Sequence, residues 1–148
     1  MREEQVTKAI LDWLVKHQWR IVCFDFPQSG TGKVLHPNDG NNEKNKKSII
    51  PDIVAVKGEI AVFFENKDRF YLADYKKQNS LKVKNEYSNA INRLLEGYNI
   101  QHIYYGIGLP TCKHSMRSKE ASVLVDFILT VEANKDVHVA YAKERMFD

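Results

Sequence analysis

The sequence predicts an α/β domain, a mixed β-sheet flanked by helices, occupying residues 1–148 as one unit. Three observations carry the prediction. The chain opens on an amphipathic helix, several β-rich apolar runs follow, and helical segments interrupt those runs in the order α-β-β-β-α-β. A chain of 148 residues, 43% hydrophobic and 28% charged, is long enough to bury a real core.

The first element covers residues 3–18, "EEQVTKAILDWLVKHQ", where Val6, Ala9, Ile10, Trp13 and Leu14 share one face and charges occupy the other. Glu3 and Glu4 suit its positive N-terminal end. A strand, "RIVCFDF" (20–26), follows and is closed by Pro27. Residues 28–47 are rich in Gly, Asn and Lys and read as a long polar loop, expected to be mobile and functional. Strands at 49–56 and 59–66 flank Lys57-Gly58, which reads as a two-residue hairpin turn. The segment 68–84 is basic and aromatic, with partial helical character, and 85–99 reads as a helix ending near Gly97. A strand at 101–109 is closed by Pro110. Beyond it come a short helix, a strand around 124–131, and a last strand at 136–142 that pairs with it.

A formal net charge of +3 permits an acidic partner without demanding one. Cys23 and Cys112 are too few for a disulfide framework or a zinc site. No run approaches membrane-spanning length and "MREEQVTK" is no signal peptide, so the expectation is a cytoplasmic protein with no membrane partner.

The hairpin raises a question. Its strands are apolar enough to be buried on both faces, yet they carry Asp52, Glu65 and Lys67. With Lys57-Gly58 as the turn, Val54 opposes Ala61 and Asp52 opposes Phe63, and side chains alternate with period two. Asp52, Phe63, Glu65 and Lys67 then project from one face, with Asp52 and Glu65 as diagonal neighbours roughly 7–8 Å apart at Cα. Two carboxylates that close resist ionisation unless a cation lies between them. Hard oxygen donors with waters suit Mg²⁺, with Mn²⁺ as a substitute, better than zinc. Such an ion polarises a phosphoryl oxygen and acidifies a bound water. Lys67 beside it can orient or deprotonate that water, or stabilise charge on the phosphate. The chemistry implied is metal-dependent phosphodiester hydrolysis.

On these residues, Pro51-Asp52 followed by Glu65-Asn66-Lys67 on a hairpin, the chain resembles the PD-(D/E)xK nucleases, the restriction-endonuclease-like fold. The resemblance spans roughly residues 3–108 and implies a homodimer that cuts double-stranded DNA, one site per subunit. Two branches are similar. Holliday junction resolvases of the archaeal type carry a glutamate on the first helix, which Glu3 resembles better than Glu4, and a Ser-Gly loop, which Gln28-Ser29-Gly30 resembles. Small type II restriction endonucleases share the core and vary in inserted segments, like the long 33–48 loop and the basic stretch after Lys67 here. The restriction type is favoured and the resolvase is the alternative, with a non-catalytic DNA-binding module or a purely structural domain as rivals of another class.

"SGTGK" (29–33) fails the phosphate-loop pattern, because Pro27 replaces its first glycine and Val34 its Ser/Thr. Ser29 and Lys33 are instead expected to meet a DNA backbone. Lys44, Lys46, Lys47, Arg69, Lys76 and Lys77 supply basic charge near the site and are candidate phosphate contacts. The five histidines show no ligand spacing.

Overall fold

The computed structural model describes residues 1–27, 29–38 and 48–148. Helix α1 (Glu3–Lys16) buries Val6, Ala9, Ile10 and Leu14, the stripe the periodicity predicts, together with Thr7. Its start is held by Gln5, whose side chain accepts the Arg2 N–H at 2.8 Å. Its end is a Schellman motif. Gln18 adopts φ +68°, its N–H donates to Val15 O at 3.0 Å, and the Trp19 N–H donates to Leu14 O at 2.9 Å. The helix therefore stops two residues short of 18, and Trp19 turns back into the core.

Six strands form one sheet in sequence order: β1 (Arg20–Phe24), β2 (Ile53–Lys57), β3 (Ile60–Asn66), β4 (His102–Pro110), β5 (Phe127–Val131) and β6 (Val137–Ala142). Pairs β3–β4 and β4–β5 are parallel and the rest antiparallel. The parallel pairs need crossovers. Helices α2 (Leu72–Lys84) and α3 (Ser88–Leu94) make the first, and α4 (Met116–Glu120) with a short 3₁₀ turn makes the second. The predicted strand at 49–56 begins only at Ile53, since Pro51 cannot donate to a ladder; Ile49 pairs instead with Leu35 in an isolated bridge. The predicted 85–99 helix shrinks to α3 because Asn85 takes φ +55° as the left-handed cap of α2.

Helix α1 and the C-terminal Met146 and Phe147 cover one face, over Ile53, Ala55, Phe64 and Phe127. The crossover helices cover the other, over Val54, Phe63, Tyr105, Ile107 and Ile128. β2 and β3 are buried on both faces, as their continuous apolar runs require. Gly108 in β4 is there for close approach: a Cβ would overlap Asn66 Oδ1 and Ile10. On the crossover face Gln78 of α2 donates its amide to Phe63 O (3.1 Å) and Gly106 O (2.7 Å), locking the helix over the β3–β4 seam. Lys82, also on α2, pairs with buried Asp126 at 3.1 Å. Among the described residues no helix is long and apolar enough to cross a membrane.

Candidate functional site

The hairpin turn falls at Gly58-Glu59, one residue later than Lys57-Gly58, because the positive φ (+59°) of Gly58 belongs at the first loop position. The register moves by two. Val54 faces Phe63 instead of Ala61, and the last ladder pair is Ile53–Phe64. A shift of two keeps side-chain parity, so Asp52, Phe63, Glu65 and Lys67 still belong to one face. It also corrects the Asp52–Phe63 pairing: the ladder ends at Ile53–Phe64, and Asp52 lies just beyond it, near enough to Glu65 to feel its charge.

Asp52 is fixed by its own backbone and by β3. Its N–H donates to Phe64 O at 3.1 Å, and its Oδ2 accepts the Asn66 N–H at 2.7 Å. Glu65 is buried at the end of β3 and meets the Lys77 ammonium at 3.2 Å. Pro51, Glu65, Lys77 and Leu81 border a narrow cleft there. Lys67 follows β3 directly, and its N–H donates to Gly108 O at 2.9 Å, so the site lies at the adjacent carboxyl ends of two parallel strands, the usual ligand edge of open α/β sheets. Its ammonium sits 3.9 Å from Glu3 Oε1 and 4.0 Å from Asp74 Oδ1. Lys67 thus joins the start of α1 to α2 across the end of the sheet.

The electrostatics follow from crowding. Burial, then the Glu65 charge, pushes Asp52 up to about 8, against the opposing pull of the Asn66 N–H. Burial raises Asp74 to about 6, with Lys67 pulling it down and Glu65 pushing it up. Glu3 is raised by burial, partly offset by Lys67. Burial lowers Lys67, but Asp74, Glu3, Glu65 and Asp52 more than reverse this, so its pKa lies above the ordinary lysine value. Four carboxylates thus share two ammonium groups, and burial with the neighbouring Glu65 charge disfavours the ionised form of Asp52. Asp74 Oδ2 is buried with no hydrogen-bond partner among the described residues.

This donor set fits a hard divalent ion held by Asp52 and Glu65. Among the described residues no three His, Cys, Asp or Glu side chains gather to cage a metal. An ion here would rely on waters and substrate oxygens beyond its two carboxylates, which is how Mg²⁺ is commonly held.

The expected phosphate contacts divide. Lys77 lies on Glu65 rather than free in solvent. Arg69 and Lys76 are exposed near the site, Arg69 paired with Asp68 at 3.2 Å. The Ser29 hydroxyl is engaged inside its own turn, accepting the Phe26 N–H at 3.3 Å and bonding Thr31 Oγ1 at 3.1 Å. Lys33 is exposed on a groove of about 400 Å³ shared with Leu35 and Arg93. Lys44, Lys46 and Lys47 lie outside the described residues.

Sequence reasoning missed Asp74. The signal was its spacing: Asp74 and Lys77 stand three apart on α2 and so share a helix face. It also missed Asn66, whose N–H anchors Asp52 while its amide donates to Thr7 Oγ1 at 3.1 Å. Compared with protein-family models, curated proteins and solved structures, the chain matches none.

Proposed function

We propose that this chain is a Mg²⁺-dependent endonuclease that hydrolyses phosphodiester bonds in double-stranded DNA, in the manner of a restriction endonuclease. The observation that carries the reading is the half-buried Asp52 crowded against buried Glu65, with Lys67 beside them at the strand ends. A fold gains little from crowding a half-buried carboxylate against a buried one unless something cationic joins them.

Asp52 and Glu65 would hold the ion. When bound, it supplies a polarised phosphoryl oxygen and an acidified water. The protein's own groups then have separate tasks. The Asn66 N–H fixes the Asp52 carboxylate, and Gln78 fixes the strand ends that carry Glu65 and Lys67. Lys67 stays an ammonium, which suits it to orient the attacking water and neutralise the developing charge rather than to take a proton. Glu3 and Asp74 hold that ammonium in place. Arg69 and Lys76 are exposed and available to the flanking phosphates. One domain carries one site, so cutting both strands takes two copies of the chain.

The test is a substrate panel, with plasmid, linear duplex and a synthetic four-way junction incubated with Mg²⁺, with Ca²⁺ or with EDTA. Discrete plasmid fragments in Mg²⁺ alone support the restriction type. Symmetric cutting of the junction alone, whatever its sequence, replaces it with a Holliday junction resolvase. Salt-sensitive DNA binding with no cutting leaves a binding module of nuclease shape.

A further inference from the structure

Lys77 occupies an unusual position for a residue of a solvent-facing basic run. Its side chain is about one-third exposed and reaches inward to Glu65, whose own side chain is 10% exposed. Asp52, the other carboxylate of the pair, takes the Asn66 N–H and has no ammonium within ion-pair distance among the described residues. The second lysine of the site, Lys67, is committed to Glu3 and Asp74. One oxygen of the Glu65 carboxylate, Oε2, is therefore already held by an ammonium of the same chain.

Resting on the nuclease reading above, we infer that Lys77 is a built-in counter-ion that occupies the Glu65 metal position until a divalent cation displaces it, and that its freed ammonium then takes a phosphate of the substrate. Three features support the exchange. The lysine stem is flexible and its root on α2 is anchored by Tyr75 and Gln78, both buried, so the head can move while the helix does not. Its partial exposure leaves a path to solvent. The charge also balances: a 2+ ion replaces a 1+ ion beside two carboxylates, and the released positive charge stays at the edge where an anionic backbone would approach.

The consequence is a competition readable without any cleavage. Lys77→Met keeps the stem and deletes the charge. Calorimetric titration of the DNA-free protein with Ca²⁺ should show binding roughly three- to tenfold tighter in Lys77→Met than in wild type, the scale of one lost competing ion pair. DNA binding measured in Ca²⁺ should be weaker in the same variant, with a shallower salt dependence. In EDTA the variant should melt lower than wild type, because Glu65 is left buried without a partner, and Ca²⁺ should restore more of its stability than it adds to wild type. Ca²⁺ affinity equal to wild type, or weaker, in a variant that melts cooperatively overturns the inference and leaves the nuclease reading standing. If Ca²⁺ binds neither protein, and does so under conditions where both are folded, the inference and the metal-dependent reading fall together.

Discussion

Replacing Asp52 with Asn tests the electrostatic reading in a single atom exchange. Asparagine has the same shape, its Oδ1 can still accept the Asn66 N–H, and it cannot ionise. In the wild-type protein the Asp52 carboxyl is pushed from the usual 3.8 to about 8. Below about pH 4 it is protonated in folded and unfolded chains alike, and costs nothing. Between about 4 and 8 the folded chain keeps a proton that the unfolded chain releases, so stability falls as pH rises. Above 8 the whole penalty is present. Four powers of ten in proton affinity at ~1.4 kcal/mol each set a ceiling on the order of 5 kcal/mol, and relaxation and water entry reduce it to roughly 2–3 kcal/mol. In EDTA, Asp52→Asn should therefore match wild type near pH 4–5 and exceed it at pH 8 by that amount, or by roughly 5–10 °C in melting temperature for a chain of this size. Adding Ca²⁺ at pH 8 should raise the wild-type protein and leave the variant where it was. The measurement is thermal melting by circular dichroism across pH 4.5–8.5. A variant less stable than wild type at pH 8, or a difference that does not grow with pH, would show that Asp52 is not held under charge stress.

Three further outcomes follow from the fold. Gly108→Ala should destabilise by roughly 2 kcal/mol in urea unfolding, because the new methyl overlaps Asn66 Oδ1 and Ile10 Cδ1, both on fully buried side chains that must shift to admit it. Gln18→Gly should stabilise by ~0.5–1 kcal/mol, since the left-handed backbone at φ +68° costs any side chain but glycine; a loss of stability would mean the Gln18 side chain matters more than its backbone. Lys82→Met should cost roughly 2 kcal/mol in the same urea unfolding by leaving Asp126 buried without its cation.

Much of the fold was legible because the strong signals were local. The α1 stripe, the two-sided apolar runs of β2 and β3, and the late β5–β6 hairpin all declare themselves within short windows. The parity of Asp52, Glu65 and Lys67 was legible too, because an error of two residues in register leaves each side chain on its own face. What the error hid was the true end of the ladder at Ile53–Phe64, which depends on whether Gly58 is the first or the second loop residue. Helix α2 was harder to read. Its buried face is Tyr75, Gln78 and Leu81, and a glutamine there earns its place by bonding two sheet carbonyls, which no hydropathy pattern reveals. The meeting of Lys67 and Asp74 with Glu3 joins the strand end and the following helix to the start of α1, some sixty residues earlier, so the packed layers were needed to bring the three together. Lys77 was read as a phosphate contact because a lysine-rich stretch says nothing of which lysine turns inward.

The measurement that bears most directly on the central claim pairs cleavage with binding in three proteins: wild type, Asp52→Ala and Lys67→Ala. A metal-dependent nuclease site predicts that wild type cuts DNA in Mg²⁺ and not in EDTA, and that both variants lose cutting by at least a hundredfold while Lys67→Ala still binds DNA in Ca²⁺. Cutting that persists in Lys67→Ala, or a folded wild-type protein that cuts neither duplex nor junction in Mg²⁺, would contradict it.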